Sequence, residues 1–144
     1  MDKTRVLILC TGNSARSQMG EGLLKHLTGD RFEVFSAGTT PSTVNPYAVL
    51  AMAGIGIDIR DHYSKSLTMF LDQEFDYVIT VCDHAAEVCP IFPGPAKRIH
   101  WSFPDPAAIE GDHQEKLATF VQVRDDIKAH FEHWLAELEN PKSA

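Results

Sequence analysis

Cysteine is scarce in this sequence of 144 residues, which contains only Cys10, Cys82 and Cys89. An odd and sparse set of cysteines excludes a scaffold held together by disulfides, and three thiols are too few for a four-thiolate zinc site. In a reducing compartment, the roles that remain for a cysteine are packing in the core and chemical reactivity.

Long apolar runs and an excess of positive charge are also missing. Nowhere do about 18 apolar residues follow one another, as a membrane span requires, and the first segment, MDKTRVLILC, lacks the pattern of a signal peptide. We therefore expect a cytoplasmic protein with no membrane association. Lys and Arg number 13 against 20 Asp and Glu, a net charge of −7, which disfavours nucleic acid as a partner.

The order of apolar patterns predicts alternating strands and helices. The apolar run from Arg5 to Cys10 shows no alternation, which is typical of a strand buried on both faces and therefore covered by helices on both sides. The other predicted elements are a helix containing Met19, Leu23 and Leu27, a strand at 31–37, a helix from Asn45-Pro46 to Gly54, a short helix within 67–73, strands at 77–81 and 98–101, and a long amphipathic helix from His113. This alternation predicts one three-layer α/β domain over residues 1–139 with a four-stranded parallel sheet, and a tail at 140–144.

The segment after Cys10 predicts an anion-binding loop. Five mostly small residues, TGNSA, separate Cys10 from Arg16, and a loop of this length between a strand and a helix can turn its N–H groups around a tetrahedral oxyanion. The helix N-terminus also favours the Cys10 thiolate, which would then act as a nucleophile. Arg16 can bind two oxygens of the anion through its planar guanidinium, and the Ser17 hydroxyl can hydrogen-bond the sulfur. The alternative is a buried structural cysteine followed by a turn.

Chemistry at an oxyanion also needs a proton donor for the leaving oxygen. Asp105 lies between two prolines in the segment WSFPDPA, shortly after a predicted strand. The restricted backbone would hold its carboxyl at the same edge of the sheet as Cys10. Asp-Pro is also an ordinary turn dipeptide, which is the alternative explanation.

Three segments resemble the low-molecular-weight protein tyrosine phosphatase superfamily: CTGNSARSQMGEG from Cys10, SAG from Ser36 and FPDPA around Asp105. The resemblance covers nearly the whole chain and implies a flavodoxin-like fold. It also implies that the loop residues bind the oxyanion, namely Thr11, Gly12, Asn13, Ser14, Ala15 and Arg16.

A fourth segment, VCDHAAEVCP, is similar to the thioredoxin-coupled arsenate reductases of that superfamily. The resemblance implies that Cys10 attacks arsenate, that Cys82 then attacks Cys10 as arsenite leaves, and that Cys89 attacks Cys82. If the residues between Cys82 and Cys89 are helical, the two lie roughly 10 Å apart, beyond the Cα separation of about 7 Å that a disulfide tolerates. A disulfide would therefore unwind this segment and present it to a partner.

The sequence departs from the superfamily at informative positions. Phosphatases of the superfamily usually carry a second cysteine where this chain has Ala15, and aromatic residues where AAIEGD follows Asp105. Both departures count against a phosphatase.

Some reductases of the superfamily bind potassium through positions that match Asn13, Glu21 and Ser36, together with an aspartate where this chain has Lys65. We therefore expect the Lys65 ammonium to replace the cation. His62 matches a position that braces the loop.

These observations predict an arsenate reductase in which Cys10, Arg16, Ser17, Asp105, Cys82 and Cys89 carry the reaction, without cofactor or resident metal. We expect a monomer whose ligands are arsenate and the competing oxyanions phosphate and sulfate, and whose reductant is thioredoxin rather than glutaredoxin. The alternatives are a phosphatase using Cys10, Arg16 and Asp105 alone, and a non-catalytic module that senses redox state or oxyanions.

Overall fold

The computed structural model describes residues 3–83 and 92–139, which contain strands and helices in the predicted order. The strands are Thr4–Cys10 (β1), Phe32–Gly38 (β2), Tyr77–Thr80 (β3) and Lys97–His100 (β4), and the α-helices are Arg16–Thr28 (α1), Pro46–Ala53 (α2) and His113–Glu139 (α3). Turns of 3-10 helix lie at Gly29–Arg31, Leu67–Phe70 and Pro106–Ala108. The short helix predicted within 67–73 is thus a single 3-10 turn.

The four strands form one parallel sheet in the order β2-β1-β3-β4, which confirms the predicted sheet. β1 lies between β2 and β3, and its residues from Val6 to Leu9 are fully buried, which explains their uninterrupted apolar character. Cys10 pairs with Gly38, and Leu9 pairs with Thr80. The carboxyl ends of β1, β2 and β3 therefore meet at one edge of the sheet.

The two faces of the sheet are covered differently. Val6 and Ile8 pack in one core cluster with residues of α1, α2 and α3. Leu7 and Leu9 point to the other face, where the described residues contribute the 3-10 turn at Leu67–Phe70 and a group of phenylalanines in place of the expected α-helix. The rings of this group contact one another at centroid distances of 5.6 to 6.0 Å and bury this face.

The predicted start of α2 is confirmed, and its capping residue also contacts the loop after β1. Asn45 caps α2, because its side chain accepts the Tyr47 N–H at 2.9 Å, and Pro46 occupies the first helical position. The backbone N–H of the same Asn45 donates to the Ser14 carbonyl at 2.9 Å, so the cap of α2 also anchors the loop.

The long helix α3 is amphipathic and closes the helical side of the core. Phe120, Ile127 and Phe131 are buried on one face, while much of its opposite face is exposed. Within residues 3–83 and 92–139, no helix is long and apolar enough to cross a membrane.

Candidate active site

In the loop between β1 and α1, the backbone carbonyl oxygens accept hydrogen bonds from neighbouring segments. Those of Thr11, Gly12 and Ser14 accept backbone N–H groups from residues 40–45 at 2.9 to 3.1 Å. The Asn13 carbonyl accepts the Ser64 hydroxyl at 2.7 Å. In a planar trans peptide, each carbonyl and the following N–H point in opposite directions. The N–H groups of residues 12–15 therefore point away from these partners, as a cradle for an oxyanion requires.

Asn13 is the fully buried centre of this loop. Its φ of 48° lies in the left-handed region, which asparagine tolerates better than most residues. The side-chain amide donates to the hydroxyls of Ser17 at 2.8 Å and Ser36 at 3.0 Å. Its side-chain oxygen accepts the Lys65 N–H at 2.8 Å. Asn13 thus joins β2, α1 and residues 64–65.

Cys10 ends β1 as a free, buried thiol whose sulfur lies 2.9 Å from the Ser17 hydroxyl oxygen. The Asn13 amide already donates to that oxygen, so the Ser17 proton is available for the sulfur. The Asn13 amide also donates to Ser36, whose hydroxyl donates to Glu21 at 2.6 Å. These hydrogen bonds favour Ser17 as a donor to the Cys10 sulfur.

Glu21 is a buried carboxylate surrounded by basic side chains. Lys25 contacts it at 2.7 Å, Lys65 at 3.6 Å and His62 at 3.7 Å. Burial opposes ionisation, but the hydrogen bonds of Lys25 and Ser36 and the charge of Lys65 outweigh it and lower the pKa of Glu21. Glu21 therefore remains an anion beneath the loop.

The same cluster lowers the pKa of two of its basic members. Burial lowers the pKa of His62, and the nearby Glu21 carboxylate only partly opposes this effect. Burial also lowers the pKa of Lys65, again against the effect of Glu21. The Lys65 ammonium also donates to the Tyr63 carbonyl at 3.0 Å.

Arg16 begins α1 and is buried, with its guanidinium donating to the Phe103 carbonyl at 3.1 Å. Asp105 follows two residues later and caps the 3-10 turn at Pro106–Ala108, because its carboxylate accepts the Ala107 N–H at 3.0 Å. Arg16 thus connects the anion loop to the segment that carries Asp105.

The close approach of β2 to the loop explains why the SAG segment ends in a glycine, Gly38. A Cβ atom at this position would lie 2.5 Å from the Thr11 carbonyl oxygen and 2.9 Å from the Asn13 nitrogen. Only glycine lets β2 run this close to the loop backbone.

Cys82 lies two residues beyond β3, is fully buried and is disulfide-bonded. The Val81 N–H donates to the Leu9 carbonyl at 3.0 Å, so the chain leading to Cys82 runs beside the end of β1 that carries Cys10. Cys89 and the predicted helical segment before it fall in residues 84–91, outside the described residues.

Two further polar residues contact the loop and were not identified as site residues from the sequence. Gln18 is fully buried and donates to both oxygens of Asn13 at 3.0 Å, and Ser64 donates to the Asn13 carbonyl. Gln18 lies inside the CTGNSARSQMGEG segment, but a single polar residue on a helix does not reveal which face is buried. In the described part of the chain, no group of three or more His, Cys, Asp or Glu side chains is placed to hold a metal ion.

The site combines three features: a cysteine at the end of a central parallel strand, a loop whose backbone N–H groups can surround an anion, and an arginine at the start of the next helix. These features define a class of α/β proteins that hold a tetrahedral oxyanion against a thiol. The family model for low molecular weight phosphotyrosine protein phosphatase matches residues 5–144. The chain belongs to this family.

Arsenate reductases are among the proteins that are similar to this chain. The arsenate reductase of Halalkalibacterium halodurans is 50% identical over 127 residues, which cover 88% of this chain and 91% of that protein. A solved arsenate reductase in its phosphate-binding state superimposes with a TM-score of 0.76 at 30% identity, covering 93% of this chain and 98% of that one. A thioredoxin-dependent arsenate reductase of Corynebacterium glutamicum superimposes with a TM-score of 0.65 at 30% identity, covering 91% of this chain and 61% of the other.

Proposed function

We propose that this protein is an arsenate reductase that uses Cys10 as nucleophile and Cys82 and Cys89 as a redox relay. The observation that carries the proposal is the position of the free Cys10 thiol at the start of an oxyanion loop. The chain segment that leads to a second, disulfide-bonded cysteine, Cys82, runs beside the end of β1 that carries Cys10. The arsenate reductases similar to this chain support the choice of substrate.

In the first step, the loop amides of residues 11–16 and the Arg16 guanidinium bind arsenate, with phosphate and sulfate as competing ligands. The Cys10 thiolate, which accepts a hydrogen bond from Ser17, attacks the arsenic atom. One arsenic–oxygen bond breaks, and Asp105 protonates the departing oxygen, which leaves as water. The product is a covalent adduct of arsenic(V) with the Cys10 sulfur.

In the second step, the Cys82 thiolate attacks the Cys10 sulfur. The sulfur–arsenic bond breaks and its electron pair stays on arsenic, which is thereby reduced from arsenic(V) to arsenic(III) and leaves as arsenite. The two thiols supply both electrons and form a Cys10–Cys82 disulfide. Cys89 then attacks Cys82, which releases the Cys10 thiolate and leaves a Cys82–Cys89 disulfide.

A dithiol reductant must return this disulfide to two thiols, and we propose thioredoxin for this role. The support is the thioredoxin-dependent relative from Corynebacterium glutamicum. Glutaredoxin is the alternative reductant, and replacing one by the other in the assay below distinguishes them.

Side chains on the far side of the loop support it, while the backbone amides of the loop bind the substrate. Asn13, Glu21, Ser36 and His62 hold the loop through the contacts given above, and Lys65 supplies positive charge beside Glu21. A potassium ion does not fit this site, because the Lys65 ammonium lies 3.6 Å from the carboxylate oxygen that would bind it. The Asn13 side-chain oxygen is also already bound to the Lys65 N–H.

The test is a coupled assay with purified protein, arsenate, thioredoxin, thioredoxin reductase and NADPH. We expect NADPH consumption that requires arsenate and is abolished in Cys10→Ser, Cys82→Ser and Cys89→Ser. Normal turnover in Cys82→Ser or Cys89→Ser would refute the relay.

The same preparations test the phosphatase alternative, the activity after which the matched family is named. Hydrolysis of an aryl phosphate that needs Cys10 but is unchanged in Cys82→Ser, without arsenate reduction, would make the protein a phosphatase. The two activities separate because only reduction needs thiols that supply electrons to arsenic.

A further inference from the structure

The buried side chain of Gln18, on α1, forms hydrogen bonds both to the oxyanion loop and to the chain segment after α2. Its side-chain nitrogen lies 3.0 Å from each of three oxygens: the Asn13 carbonyl, the Asn13 side-chain oxygen and the Tyr63 carbonyl. An amide nitrogen has two protons, so one of them is shared between two acceptors. Gln18 is fully buried, so water cannot replace these bonds.

The surroundings also determine the orientation of the amide. Three oxygens around its nitrogen leave its oxygen to face the ring of His62, where His62 Nδ1 lies 3.0 Å away. Nδ1 must therefore carry the proton that the Gln18 oxygen accepts. Gln18 thus connects Asn13 in the loop to His62 and Tyr63, which lie in the chain segment after α2.

We propose that Gln18 is a positioning residue for oxyanion binding, which acts by holding Asn13 in its left-handed conformation. This inference rests on the proposed function, in that the loop binds a tetrahedral oxyanion. Asn13 orients the peptide groups on either side of it and donates to Ser17. A change in its φ would therefore turn loop amides away from the anion and release the Ser17 hydroxyl from its direction toward Cys10.

The expected effect follows from the population of the binding-competent loop. Without Gln18, the left-handed Asn13 loses the two hydrogen bonds that Gln18 donates to it, and other loop conformations become populated. The apparent dissociation constant rises in inverse proportion to the competent fraction. We expect a rise of roughly tenfold, the ratio that corresponds to about 1.4 kcal/mol.

The experiment uses the reduced full-length protein and inorganic phosphate as the probe. Phosphate in the loop shields Cys10 from iodoacetamide, and peptide mass spectrometry measures alkylation at Cys10 alone. The phosphate concentration that halves the alkylation rate gives the dissociation constant. The test variant is Gln18→Met, which keeps the length of the side chain and adds no charge, but removes the N–H donors.

The matched control is Gln73→Met. Gln73 accepts a hydrogen bond from Arg5 at 2.6 Å before the start of β3, far from the loop. We expect its phosphate affinity to equal that of the wild type even if its melting temperature falls. With arsenate, Gln18→Met should raise KM by a similar factor and change kcat less than KM, because saturating substrate selects the competent loop.

The outcomes separate the inference from the function on which it rests. If phosphate fails to protect Cys10 in the wild type, the oxyanion site itself is wrong. If it protects wild type and Gln18→Met equally, the positioning role of Gln18 is overturned. Should Gln18→Met not fold, Ser64→Ala removes the other donor to the Asn13 carbonyl at a partly exposed position. It should weaken phosphate binding severalfold, and an unchanged dissociation constant would overturn the proposal.

Discussion

The charge of Lys65 offers a sharp test of how the loop is supported. Lys65→Met keeps most of the apolar side chain and removes the ammonium that lies 3.6 Å from Glu21. Both side chains are largely buried, with 10% of Lys65 and 6% of Glu21 exposed. Removing one member of such a pair leaves the other charge partly uncompensated.

The magnitude follows from the distance and the surroundings. Two unit charges at 3.6 Å attract by about 5 kcal/mol at an effective dielectric constant of about 20. The variant no longer has to bury the ammonium, and Lys25 still contacts Glu21 at 2.7 Å. We therefore expect the free energy of unfolding to fall by about 2 kcal/mol, less than half of the attraction.

Urea denaturation in potassium chloride and in choline chloride at equal ionic strength measures this effect. The wild type should be equally stable in both salts, because Lys65 supplies the positive charge beside Glu21. Lys65→Asp restores the aspartate that potassium-binding reductases carry at this position, so this variant should be more stable in potassium. Lys25→Met is the matched control, since Lys25 is half exposed and its loss should cost less than about 1 kcal/mol. A wild type that potassium stabilises, or a Lys65→Met variant as stable as the wild type, would refute the reasoning.

Three further predictions concern the loop and the cluster beneath it. Ser17→Ala should slow alkylation of Cys10 by iodoacetamide at neutral pH, because the thiolate loses its hydroxyl donor at 2.9 Å; an unchanged rate would contradict this role. Gly38→Ala should lower the free energy of unfolding by more than about 2 kcal/mol in urea denaturation, because a Cβ would meet the Thr11 carbonyl oxygen at 2.5 Å. A free energy of unfolding equal to that of the wild type would show that the loop can move to make room for the Cβ. The pKa of His62 is lowered from its ordinary value of 6.5 by burial, so the unfolded chain takes up the proton more readily and stability falls as pH drops below 6.5. His62→Gln should flatten this part of the stability profile, and an identical slope in both proteins would contradict the assignment.

Much of the fold could be read from local sequence patterns. The apolar run of β1 predicts a central strand because only a strand covered on both faces has no need of polar residues. Asn45 and Pro46 predict the start of α2 because a cap and a proline satisfy the first turn of a helix by themselves. Such signals act within a few residues, so their outcome hardly depends on the rest of the chain.

The covering of the second face of the sheet could not be predicted in the same way. Phe35 of β2, Phe75 and Phe92 are far apart along the chain, and their rings meet only when the chain is folded. Each alone looks like an ordinary core residue, and their contacts cover this face without the expected α-helix in the described residues.

The sequence alone determined the order of the elements and the chemistry available at the loop, because strand burial, helix caps and the spacing from Cys10 to Arg16 are local properties. The tertiary structure decided which side chains support that chemistry. Lys65 meets Glu21 and Gln18 meets Tyr63 only because the segment after α2 crosses α1 at the end of β1. Contacts between distant segments depend on packing and on the orientation of each polar group, and neither is encoded in the spacing of residues along the chain.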